Sequence, residues 1–274
     1  MRKLGLRVAF SARVTLPCYV LTAVLHAQTP TAGGAEALTW PDLSGVYYSI
    51  PQGVIPGRNA PVPGQPPPRP TVGSPVGDGR QGRSAEVPSL NQEYMAKWET
   101  IRKSRAAGSS EFDNFAKCLP VGMPSMMLTA GYPIEILQAR DKIIIFGELN
   151  DSMRRIYLDG RKPTQKHLED PTYAGYSTGH REGDTLVADT VALHPASLIE
   201  SIETVFTPHS DAMWVRERMR LRNANLLEDR IVVADPKAFT KPWELVQTYR
   251  KAEPGKGRDE IREFACSEGL STAR

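Results

Sequence analysis

The stretch Tyr132–Gly160, YPIEILQARDKIIIFGELNDSMRRIYLDG, decides how this chain folds. It holds three short runs, Ile134–Gln138, Ile143–Glu148 and Met153–Leu158, rich in isoleucine and including Phe146 and Tyr157. Arg140-Asp141 and Asn150-Asp151 stand between the runs, and Asp159-Gly160 follows the last. β-Branched and aromatic side chains suit a pleated, half-buried surface, whereas Asp and Asn bond to their own backbone and favour turns. Runs this short, joined by such turns, predict a three-stranded antiparallel meander.

The same pattern continues outward. Tyr173–Thr178 and Thr185–Val191, separated by Arg181–Gly183, read as a further hairpin. Ile202–Phe206, Ala212–Leu221, Glu228–Val233, Leu245–Arg250 and Ile261–Cys266 supply five more strands, and Leu43–Ile50 supplies a first one upstream. One helix is expected over Leu90–Ala107, with Ser89 as N-cap, Gln92 completing a capping box and Gly108 ending it. Tyr94, Met95, Trp98 and Ile101 fall on one face of that helix. About ten sequential strands with little helix predict a mainly β fold, an antiparallel up-and-down β-barrel with one N-terminal helix and a long Pro/Gly-rich loop. The alternative is a two-sheet β-sandwich.

The chain has 274 residues, 40% hydrophobic and 24% charged, the composition of a globular protein. Met1–Ala27 carries Arg2-Lys3, an apolar run through Val14–Leu25, and Val24-Leu25-His26-Ala27 before a polar stretch, which reads as a secretory signal peptide. The run is broken by Arg13 and Pro17 and is shorter than the ~20 residues that span a bilayer, so no membrane insertion is expected after cleavage. The segment holds four of the 34 basic residues and no acid, so its removal leaves 30 basic against 31 acidic. Such a chain has no electrostatic reason to bind nucleic acid. Residues 51–88 contain ten prolines and seven glycines and too little apolar surface to offset the entropy of ordering. The organisation expected is therefore residues 1–27 signal peptide, 28–50 a segment with the first strand, 51–88 a flexible loop, 89–108 the helix and 109–274 the barrel domain. Export to the periplasm or beyond leaves Cys118 and Cys266, a pair expected to be bridged in an oxidising compartment. On the chain-entropy model a loop that long contributes on the order of 4–5 kcal/mol.

Several segments carry a resemblance: Arg154-Arg155-Ile156-Tyr157-Leu158-Asp159-Gly160-Arg161, Gly179-His180-Arg181-Glu182-Gly183-Asp184-Thr185-Leu186-Val187-Ala188-Asp189-Thr190, Pro208-His209-Ser210-Asp211-Ala212, and Asp235-Pro236-Lys237-Ala238 with Thr240-Lys241-Pro242-Trp243. With Pro41–Val46 and Cys118–Pro124, they make the chain similar to a large family of exported bacterial proteins of unestablished activity. The resemblance implies an exported, β-rich, lipocalin-like domain and hands over no reaction. Arg181 stands where the family tends to have Trp, and Tyr47 where many members have Trp.

Strand alternation places Met213, Val215, Glu217, Met219 and Leu221 on one face of Ala212–Leu221, with Trp214, Arg216, Arg218 and Arg220 on the other. A lone carboxylate on an apolar face must be paired, protonated or functional. The same alternation puts Met153, Arg155 and Tyr157 together, making Arg155 the candidate partner of Glu217. Arg155, Tyr157 and Glu217 are thus the expected polar contacts of a small apolar or aromatic ligand in the barrel interior, or else a structural ion pair. His209 with Asp211, joined by His180 if both turns share one barrel mouth, are the expected acid–base residues should the chain be an enzyme. No metal-ligand spacing, Gly-x-Ser-x-Gly elbow, phosphate loop or dinucleotide fingerprint occurs, so neither a metal nor another cofactor is expected. A structural envelope protein acting through its Pro/Gly segment is the third possibility.

Overall fold

In the computed structural model the described residues are 41–50, 88–129, 132–200, 206–256, 258–264 and 266. Nine strands form: β1 Gly45–Ile50, β2 Ile134–Gln138, β3 Lys142–Gly147, β4 Ser152–Tyr157, β5 Tyr176–Glu182, β6 Thr185–Val191, β7 Trp214–Asn223, β8 Leu226–Ala234 and β9 Trp243–Lys251. Each pairs with its successor, and β9 returns to β1 through Tyr48 opposite Arg250, so the sheet is a closed barrel and not a sandwich. Closure satisfies the backbone of both would-be edge strands. A ring with an odd number of strands cannot alternate direction throughout. The one parallel junction falls at β4–β5, where Ile156 lies opposite Ser177 and Tyr157 opposite Thr178. A parallel neighbour needs a crossover, and residues 158–175, with the short helix Gln165–Glu169, provide it. The expected up-and-down order therefore holds everywhere except at this step.

The first helix, α1, runs Gln92–Ala106 and begins later than expected. Asn91, not Ser89, is the N-cap, accepting from the Tyr94 N–H at 3.1 Å. Ser89 is engaged elsewhere: its carbonyl accepts from Thr240 N–H at 2.7 Å, and Leu90 bridges to Phe239. Gly108 closes the helix in the left-handed region, φ +84°. Tyr94 and Ile101 are buried and Trp98 packs on the core, while Met95 is 38% exposed. A second helix, α2, Ser125–Leu128, is wholly buried, a role unread in the sequence. The Tyr249 hydroxyl on β9 donates to the Met127 carbonyl, which fixes α2 to the barrel. Met123, Met126, Met127 and Leu128 join the strand side chains in one continuous core.

The barrel has one plain end and one capped end. Tight turns at Gly183-Asp184 and Ala224-Asn225 close the plain end. At the other end lie α1, α2 and the connections 192–213 and 235–242, because β6 finishes and β7 starts there. Residues 261–264 form no strand, contrary to expectation. They lie against the turn between β3 and β4, with Arg262 N–H on Glu148 at 2.9 Å and Phe264 N–H on Asp151 at 3.1 Å. Cys118 and Cys266 are bonded, as expected, with Cα atoms 5.7 Å apart. The signal segment 1–27, residues 51–87 of the Pro/Gly stretch and most of the expected strand Ile202–Phe206 lie outside the described residues.

Gly175, where the crossover enters β5, has φ +66°, and a Cβ there would stand 2.7 Å from both Thr190 Cγ2 and the Val191 carbonyl oxygen. Gly183, φ +62°, has open space around it. Gly175→Ala should therefore cost roughly 2–4 kcal/mol in urea unfolding and Gly183→Ala only about 1 kcal/mol. Equal losses would mean that the close approach of Gly175 to the end of β6 does not matter.

Candidate functional site

Glu217 is sealed in the barrel as the β7 alternation requires, with Val215 and Met219 beside it on the inner face. Its partner is Arg154, not Arg155. In β4 the inward residues are Ser152, Arg154 and Ile156, while Met153 and Arg155 face outward. Both faces of that strand carry one arginine and one apolar residue, so only the pairing of Arg154 with Ile145 on β3, itself wholly buried, decides the parity. Arg154 Nη1 donates to Glu217 Oε1 at 2.9 Å and Nη2 to Oε2 at 2.5 Å. Nη2 also donates to Thr190 Oγ1 at 2.8 Å, and Nε to Ser177 Oγ at 3.0 Å. The guanidinium is 1% exposed and the carboxylate 0%. This is a buried pair completed by two hydroxyls, the arrangement in which loss of one partner costs most.

A second carboxyl lies beside it. Asp229 on β8 is fully buried, opposite Met219 and diagonal to Glu217, and neither of its oxygens has a hydrogen-bond partner among the described residues. Burial first, and then the Glu217 carboxylate, raise the Asp229 pKa well above the usual range against the pull of Arg154. Asp229 is thus the acid of the interior whose protonated form the fold favours, beside the Arg154–Glu217 pair. The same burial, followed by Asp229 and Glu217, raises the pKa of the Tyr249 phenol. The chain's own side chains fill this space: Arg154, Tyr47, Tyr249, Ile136, Ile143, Ile145 and Leu186 are all essentially inaccessible.

The other expected ligand contacts lie on the outer surface. Tyr157 packs its ring 5.4 Å from Tyr176 and beneath the Arg161 guanidinium, 4.2 Å away. The acid–base group does not assemble either. His180 is exposed on β5, 3.1 Å from Glu182, near the plain end. His209 is buried in the connection before β7, at the capped end. Asp211 is exposed and pairs with Lys237 at 2.7 Å instead of His209. His209 Nδ1 donates to the Ser210 carbonyl at 2.8 Å, and its Nε2 lies 2.9 Å from Ser197 Oγ, whose one proton also faces the His194 carbonyl at 2.8 Å. Burial lowers the His209 pKa and keeps the ring neutral. Ser197 is itself 1% exposed, so this hydroxyl–imidazole pair fastens the connection between β6 and β7 from inside.

Two of the quoted motifs explain each other. Ser210 donates from N–H and Oγ to the Asp235 carboxylate at 2.5 and 2.6 Å, and Asp235 also caps the amides of Lys237 and Ala238. The carbonyls of Lys237 and Ala238 in turn accept from the Asn91 side chain and N–H. The segments Pro208–Ala212 and Asp235–Ala238 thus form a clamp that anchors the start of α1. On the outer face of β7, Arg216 pairs with Asp189, Arg218 with Glu182, and Arg220 and Arg222 with Glu228. The arginine row is an ion-pair ladder.

The feature that sequence reasoning missed lies at the capped end. Phe112, Asn114, Phe115, Val121, Leu198, Glu200 and Phe206 line a cleft with about 10 Å³ of free space, roughly one water. Glu200 is in its wall, and its backbone N–H is fixed by Ser125 Oγ at 2.8 Å. Burial, and secondarily Asp113, raise the Glu200 carboxyl to about 7, with Arg105 opposing. Arg105 stacks over the Phe206 ring, 3.3 Å from its centroid, and reaches Asp113 at 3.4 Å. A perturbed carboxyl among aromatic walls is a recurrent mark of a functional site. Glu200 stands next to Ile199 in a segment with no motif spacing, so its burial was invisible in the sequence. A second cavity of the same free volume lies beside α2, lined by Val121, Met126, Tyr132 and Leu149 among others. Among the described residues no cluster of three or more His, Cys, Asp or Glu is placed to hold a metal ion, and no helix is long and apolar enough to cross a membrane.

No protein-family model matches the chain, and no curated protein matches it.

The interior acids make stability depend on pH with a definite sign. Folded Asp229 keeps a proton that the unfolded chain releases above about pH 4. From there to its folded pKa the native state binds more protons, so stability falls as pH rises, by up to about 1.4 kcal/mol per pH unit for one group. Urea unfolding of the wild type and Asp229→Asn from pH 5 to 8 should show the wild type losing ground to the variant; parallel profiles would mean that Asp229 is ionised. Arg154→Met should cost about 3–5 kcal/mol, and Arg154→Met/Glu217→Leu should recover most of it.

Proposed function

We propose that the chain is an exported, lipocalin-like barrel protein that binds a small, largely apolar molecule at its capped end, with Glu200 as the polar group that orients it. The observation that carries this reading is the Glu200 carboxyl at about 7, set among Phe112, Phe115, Leu198 and Phe206. The barrel interior is occupied by its own side chains, which moves the binding site from the interior to the cap. Export is supported by the leader-like Met1–Ala27 and by the Cys118–Cys266 bond. A half-titrated carboxyl with apolar walls suits an aromatic ring or short apolar chain bearing an amine. The ionised carboxylate pairs with the ammonium while the walls take the ring.

The filled interior also favours a second reading, a structural envelope protein with no ligand at all. Benzylamine titration by calorimetry separates the two. Binding should tighten by about tenfold between pH 6 and 8 as Glu200 ionises, and Glu200→Gln should abolish that pH dependence while leaving the fold intact. Affinity that ignores both pH and the substitution sinks the cleft reading. Absence of binding, together with a native mass equal to the bare mature chain, establishes the structural one.

A further inference from the structure

One wall residue of the cleft, Phe115, is backed by a segment that belongs to no strand of the barrel. Residues 258–264 run back along the outside of the barrel without regular structure. They are attached by few groups: the Tyr48 hydroxyl on the Arg258 carbonyl at 3.1 Å, and the Arg262 and Phe264 amides on Glu148 and Asp151. All three bonds are exposed to water and so contribute little net stability. Phe264 lies 5.6 Å edge-on from Phe115, a wall residue of the Glu200 cleft, and 6.2 Å from Tyr132, a wall residue of the cavity beside α2. One ring of the strap therefore backs a wall residue of each small cavity of the cap. Two residues further on, Cys266 is bonded to Cys118, and both cysteines are exposed.

We propose that the Cys118–Cys266 bond is a reversible latch, opened by a dithiol reductant, that holds this strap against the cap and so controls access to the Glu200 cleft. This rests on the cleft being the binding site. The thiolate of the reductant attacks one cysteine sulfur, the S–S bond breaks, and the departing cysteine thiolate takes up a proton. The second thiol of the reductant attacks the mixed disulfide and releases the other cysteine, which is protonated in turn. Two electrons and two protons reach Cys118 and Cys266, and the reductant leaves as a disulfide. An exposed disulfide is the kind open to such exchange. The closure of the barrel through β9 and β1 and its core contain neither cysteine. Once the bond is open, the strap keeps only its solvent-exposed contacts, and Phe264 leaves Phe115 and Tyr132. The space of about one water in the latched cleft explains why a ligand requires this step.

The test uses the full mature chain, oxidised or treated with dithiothreitol, and reads hydrogen exchange without any ligand. Reduction should remove protection from 258–264 and from 112–119 while β1–β9 keep theirs. Unchanged protection of the strap overturns the proposal, and so does a barrel that loosens together with it. Benzylamine affinity is then measured in both states, and in oxidised Phe264→Ala, which removes the covering ring and keeps the bond. Reduction and Phe264→Ala should each tighten binding by about tenfold if the latched form is open a tenth of the time. Strap release with equal affinity in both states overturns the gating. A chain that binds no benzylamine in either state fails the cleft reading instead, while the exchange measurement still decides whether the bond is a latch.

Discussion

A guanidinium and a carboxylate without access to water lie at the middle of the barrel, and much of the fold is arranged to satisfy them. Arg154 from β4 and Glu217 from β7 stand on strands separated around the ring by β5 and β6, and those two strands supply Ser177 and Thr190 to complete the bonding. Four neighbouring strands therefore meet on one group, across the parallel junction that a nine-stranded ring must contain. An ion pair taken out of water is tolerated only when its geometry is good and its remaining donors are filled. Any slip of β4 against β5 would empty at least one of those donors. The pair thus fixes register where the ladder is shortest, two residue pairs between β4 and β5. Asp229, next to it, has its pKa raised by burial and by the Glu217 carboxylate.

With the interior committed to this network, the capped end is where the molecule has chemistry to spare. The connections there are long because the crossover and the entry into β7 both return to that end. They are held by side-chain-to-backbone bonds more than by ladders: Ser210 and Asn91 through the 235–238 turn, Ser125 to Glu200, Tyr249 to Met127. Such a cap can partly bury a carboxyl whose nearby cation, Arg105, acts on it less than burial does, which sets Glu200 apart from the directly paired acids of the outer face. The C-terminal strap adds an element joined to the cap by a covalent bond and by the Phe264 ring, and to β1 through Arg258 at the Tyr48 hydroxyl and ring.

Much of the fold was legible in the residues. The isoleucine-rich runs of Tyr132–Gly160 became β2, β3 and β4, and the alternation along β7 correctly sealed Glu217 inside. Parity was the weak point. Met-Arg-Arg-Ile-Tyr alternates equally well with either arginine inward, and only the fully buried Ile145 opposite Arg154 distinguishes the two. The same limit explains the Ser89 cap: the sequence offers Ser89 and Asn91, and the bridge from Leu90 to Phe239, far along the chain, leaves Asn91 to serve. The Ile261–Cys266 run looks like a strand because it is short and carries Ile261, Phe264 and Cys266, but the ring had already closed through β1 and β9 and no edge remained to receive it.

The sequence by itself determined the nine strands that form the barrel, though it also offered Ile261–Cys266 as one, together with the single long helix, the inward Glu217 and the pairing of Cys118 with Cys266. Each of these follows from period, turn chemistry or the count of cysteines, which are local or combinatorial properties. Only the tertiary structure decided the parallel step, the choice of Arg154 over Arg155, the separation of His180 from His209 to opposite ends, and the burial of Glu200. These depend on which distant residue a given side chain meets. Burial and charge are properties of that meeting, and no window of neighbouring residues contains it.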